Sequence, residues 1–153
     1  MKKLSLAAVA AALLAAPALA LLVSGLTYGN WDLPNGASSG FATGGLFDSS
    51  GNGVFKMDAK LVETPSPIFG WRQGTMSGDL DDGNPALFPA YSVSGKWQAK
   101  ASSGEGNFEA AIYKQVSPLG PIVLVGKMAG VFADPPSFPN KVGRYKGEWK
   151  ADI

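Results

Sequence analysis

From Gly143 to Ile153 two kinds of residue alternate without a break: Gly143, Tyr145, Gly147, Trp149, Ala151 and Ile153 share one parity, and Arg144, Lys146, Glu148, Lys150 and Asp152 the other. Successive side chains of a strand point to opposite faces, so this spacing predicts a strand with one face in a core and the other in water. The period of two recurs from Tyr91, where Tyr91, Val93, Gly95, Trp97 and Ala99 oppose Ser92, Ser94, Lys96, Gln98 and Lys100. It recurs again from Gly53, where Phe55, Met57, Ala59 and Leu61 oppose Lys56, Asp58 and Lys60. Continued along the chain, the pattern predicts an all-β protein of about eight strands, near 26–32, 40–48, 53–63, 67–80, 90–101, 105–115, 121–133 and 142–152. No stretch after the first 20 residues has helical apolar spacing. SSGNG at 49–53, DDGN at 81–84 and SSGEG at 102–106 predict tight hairpins, while TPSP, NPALFP and DPPSFPN mark longer links.

Glycine placement sharpens this picture. Trp31, Phe47, Phe55, Trp97, Phe108, Phe132, Tyr145 and Trp149 each have glycine two positions earlier, which in a strand puts the glycine and the ring on one face. Glycine weakens a strand unless it serves a bend, a bulge or a ring lying across bare backbone, and a tightly curved barrel needs all three. The expected architecture is therefore a single antiparallel meander barrel with its apolar face inward. The Gly-x-Trp rhythm resembles three-residue stretches of small secreted barrels such as avidins and lipocalins, and it brings no binding motif with it.

The chain also reads as an internal repeat of about 52 residues: GTMSGDLDD at 74–82 returns as GKMAGVFAD at 126–134, and SSGNGVF at 49–55 as SSGEGNF at 102–108. What repeats is glycines, apolar positions and turns, so the duplication is expected to serve architecture.

The first 20 residues read differently. Lys2 and Lys3 precede an uncharged alanine- and leucine-rich run that ends in Pro17 and Ala18-Leu19-Ala20, the order of a cleaved secretory signal peptide. An uncleaved anchor is the alternative, since the apolar run continues to Leu26. The expectation is an exported protein, periplasmic or extracellular and bacterial, with residues 21–153 forming the barrel domain.

Charge and chemistry narrow the functions. Residues 21–153 carry 11 Lys and Arg against 12 Asp and Glu, which leaves no basic field for nucleic acid. The chain has no histidine and no cysteine, which removes Ser-His triads, Cys-His pairs, His-based zinc sites and disulfides. A carboxylate-only enzyme survives this test, but Glu109 and Glu148 alternate with core positions and should face solvent. No catalytic residue and no cofactor is assigned. DLDDGN gathers Asp79, Asp81 and Asp82 as a calcium loop would, yet lacks EF-hand spacing and reads better as a hairpin turn.

Trp71, Arg72 and Tyr113 escape the glycine-pairing rule, and they are the candidate ligand- or partner-binding residues. Phe88 and Phe138, each next to a proline, are expected to plug the barrel ends. The function expected is a non-enzymatic exported binding or envelope-associated module acting through the barrel surface or mouth. A calyx for a small apolar ligand and a small outer-membrane barrel are the alternatives. The partner is expected to be a protein, a glycan or a small apolar ligand, without nucleic acid and without membrane insertion.

Overall fold

The computed structural model describes residues 21–34, 36–134 and 143–153. The proposed leader, Phe138 and the link between the last two strands therefore lie outside the described residues. Eight strands close into one antiparallel barrel in meander order: β1 (Leu22–Asp32), β2 (Ser39–Asp48), β3 (Gly53–Thr64), β4 (Trp71–Asp81), β5 (Ala90–Lys100), β6 (Gly106–Gln115), β7 (Ile122–Asp134) and β8 (Gly143–Asp152). β1 begins four residues earlier than the alternation predicts, because β8 continues to pair with it down to Leu22 opposite Asp152. β4 begins four residues later. There Pro65, Pro67 and Gly70, whose φ is 81°, hold a turn closed by the Trp71 amide on the Ile68 carbonyl.

The inward parity of every strand builds the core. Trp31, Phe55, Trp97, Phe108, Phe132, Tyr145 and Trp149 pack with Leu46, Met57, Leu61, Met76, Ile112 and Met128 in the interior. The indole N–H groups of Trp97 and Trp149 stay satisfied by donating to the carbonyls of Thr75 (3.1 Å) and Phe47 (2.9 Å). Lys96, Lys146 and Glu148 point into water, as the alternation requires.

Seven of the eight glycine-paired rings are buried, and the glycines that accommodate rings lie on neighbouring strands. A Cβ on Gly74 would come within 2.9 Å of the Trp97 ring, and one on Gly130 within 2.7 Å of the Phe108 ring. Gly74 is the register partner of Trp97, and Gly130 that of Phe108. Phe47 is the exception. It points outward, lies across Gly45, and stacks on Tyr28 with ring centres 4.3 Å apart.

The rims differ in what they carry. Among the described residues, 49–52, 82–89 and 116–121 form loops of one end, which also holds Leu21 and Ile153; residues 33–34, 36–38, 65–70 and 101–105 belong to the other.

Candidate functional site

The end that carries Leu21 is apolar. Leu21, Leu22, Leu87, Val116, Leu119, Ile122, Val123 and Leu124 are all exposed there, Leu119 fully (101%) and Leu87 by 85%. The opposite end exposes only Ile68 and Phe69 among the described residues outside the strands. Exposed apolar side chains gathered at one end of a fold mark sites of interaction.

The local sequence accounts for this geometry. Gln115 to Gly126 is an uncharged run of 12 residues whose Pro118, Gly120 and Pro121 force a turn. Ile122, Val123 and Leu124 pair with Gln115, Lys114 and Tyr113 of β6, but the register with β8 starts only at Gly126 opposite Ala151. Ile122, Val123 and Leu124 are therefore paired on their β6 side only. A bulge after Ile112, with Val125 packed against the core, releases Leu124 to the outside.

Apolar exposure continues on β1, β2 and β7, the first two and the last standing on either side of the charged outer face of β8. Within the strands, every exposed large hydrophobic among the described residues belongs to β1, β2 or β7: Leu22, Leu26, Tyr28, Phe41, Ile122, Val123, Leu124 and Val131. The outward faces of β3, β4 and β5 are polar, with Lys56, Asp58, Lys60, Thr75, Ser77, Asp79, Ser94, Lys96 and Gln98. An open groove of about 1370 Å³ runs from Leu22 and Leu124 across β8, β7 and β6, over Ala111 and Ala129 and past Lys127, Glu148 and Lys150.

No protein-family model matches the chain, and no curated protein or solved structure is detectably similar to it.

The residues singled out in the sequence do not assemble into one patch. Trp71 is half-buried on the outer face, opposite Lys100 of β5, whereas Tyr113 lies opposite Ser92, at the other end of that same strand. Arg72 has inward parity and closes the end of the barrel remote from the apolar rim. Its Nε and Nη2 donate to the Glu63 carboxylate at 3.0 and 2.8 Å, and its Nη1 to the Leu33 carbonyl at 2.9 Å. Nη2 also reaches the carbonyls of Pro34 (3.2 Å) and Ala37 (3.3 Å), so one guanidinium pins the β1–β2 loop over the core. The hydrogen bonds from Arg72 hold the Glu63 carboxyl below its ordinary range, against the opposing effect of burial.

The aspartates of DLDDGN act on their own turn. Asp81 accepts from the Gly83 amide and Asp82 from the Asn84 amide, and among the described residues no group of three or more acidic side chains is placed to hold a metal. Phe88 is half-buried at the rim of the apolar end.

Proposed function

We propose that this chain is a non-enzymatic exported protein, an envelope-associated binding module that docks through the apolar end of its barrel. The observation that carries the reading is the gathering of eight exposed aliphatic side chains from separate segments at one rim, beside a wall whose β3–β5 side is polar. The many large side chains packed in the interior favour docking over storage of a small apolar ligand in a calyx. The charged outer faces of β3, β5 and β8 favour it over a barrel embedded in lipid, which presents an apolar band outward. No cofactor enters the reading.

Site-specific photo-crosslinking in producing cells tests it. A crosslinker at Leu119 is expected to trap an envelope component, and one at Asp58 on the polar wall is not. Equal capture at both positions refutes docking through this end.

A further inference from the structure

We infer that the occupant of the apolar end is the surface of a lipid bilayer, entered by the β6–β7 hairpin while the barrel stays in water. This inference rests on the docking reading above. Three observations carry it.

The first is placement. Val116 and Leu119 lie at the tip of the hairpin and Ile122, Val123 and Leu124 on its arm, with Leu87 and Leu22 at the same end of the barrel. Aliphatic side chains gathered at one end can enter the boundary of headgroups and acyl chains, about 5–10 Å deep.

The second is composition. The eight exposed side chains are all Leu, Ile or Val, and from Gln115 to Gly126 no residue is charged. Protein-binding hot spots favour Trp, Tyr and Arg, and none of these occurs among the eight. Lys114, at the base of the hairpin, is turned onto the Tyr91 ring, 5.5 Å from its centre.

The third is continuity along the chain. Leu21 is joined directly to the uncharged apolar segment from Leu4 to Ala20, and it lies on this same rim, paired to Ile153 through both backbone hydrogen bonds. Before that leader is removed, a chain held at the membrane by it presents this end to the lipid.

The electrostatics fix the kind of membrane binding. Asp48, Asp79, Asp81, Asp82, Glu148 and Asp152 share this half of the barrel with Lys56, Lys114, Lys127 and Lys150, so no basic field draws in anionic lipid. Binding must be driven by apolar burial and indifferent to salt.

Flotation with vesicles tests this on residues 21–153, which contain all eight strands and every strand pairing of the barrel. Phosphatidylcholine vesicles, alone or with about 30 mol% phosphatidylglycerol, are expected to bind the chain within about twofold of each other at about 0.1 and about 0.5 M salt. The double variant L119S/I122S, with an unchanged near-ultraviolet dichroism spectrum, is expected to bind at least about tenfold more weakly. Lys96→Ser on the polar wall is expected to bind like the parent chain.

The inference is overturned if the parent chain does not float with either vesicle, if it needs anionic lipid, or if L119S/I122S floats as well as the parent. Light scattering covers the case of a second copy: dimers that L119S/I122S dissolves, without flotation, also overturn it. A protein adduct at Leu119 without flotation sinks the lipid but leaves docking standing. The absence of both adduct and flotation sinks the two together.

Discussion

Replacing Arg72 with Met removes the guanidinium that ties Glu63 to the β1–β2 loop. The guanidinium leaves behind a Glu63 carboxylate whose side chain is 28% exposed, together with three carbonyls that it had held. Removing one partner of a fully buried ion pair costs about 3–5 kcal/mol. The exposure of this pair (15% and 28%) lets water compensate part of that, so the expected cost at neutral pH is about 2–4 kcal/mol. Set against an ordinary domain stability of about 5–15 kcal/mol, the loss is readily measured.

The pH dependence makes this prediction specific. Glu63 is held below its ordinary value of 4.5, so its pairing stabilises the fold above that pH and the benefit is lost as pH falls further. In the variant the carboxylate is half-buried without its cation, and protonation relieves it. Urea unfolding followed by tryptophan fluorescence between about pH 3 and pH 7 is the assay, and the gap between parent and Arg72→Met is expected to close on acidification. A gap that stays constant across that range, or one below about 0.5 kcal/mol at neutral pH, would falsify the assignment of Arg72 as a clamp.

Three further outcomes are expected. Trp149→Ala removes a core indole and its bond to Phe47, and should cost about 3–5 kcal/mol in the same assay; a native midpoint would show that the ring is not core. Burial pushes the Tyr145 hydroxyl up to about 12, the Thr27 contact offsetting part of the effect, so stability should hold below pH 10 and drop by roughly 3 kcal/mol towards pH 12, with Tyr145→Phe flattening that alkaline limb. Gly130→Val drives a side chain into the Phe108 ring and the backbone of β8, and should prevent closure; a soluble variant with native dichroism would contradict the approach of those strands.

The strands and their faces were legible because the period of two is nearly uninterrupted and the turns carry their own chemistry. Gly51, Gly83 and Gly104 have positive φ within the three predicted hairpins. Phe47 shares a face with Gly45 as the spacing implies, but that spacing is the same whether the ring faces in or out; stacking on Tyr28 makes the outer position favourable. Arg72 and Trp71 were read together as neighbours in sequence, but a strand sends neighbours to opposite faces, and Arg72 finds acceptors on a loop 38 residues away in the chain. The apolar rim had a signal in the uncharged run from Gln115 to Gly126. Alternation cannot read it, because Ile122, Val123 and Leu124 are consecutive and all exposed. Their exposure follows from register, since they are paired on their β6 side only.

The seam between β1 and β8 has a consequence for assembly. Leu22 pairs with Asp152 and Trp31 with Gly143, and Trp149 reaches the Phe47 carbonyl across 102 residues of chain. Every other pairing is a local hairpin that can form as soon as its two strands exist, whereas this one must wait for the strands most distant in sequence to meet. Until then β1 and the newest strand are both bare edges, and each is a template for another unfinished copy. A chain interrupted before Gly143 keeps those edges permanently. Its fate is aggregation, even though seven of its eight strands are already in register.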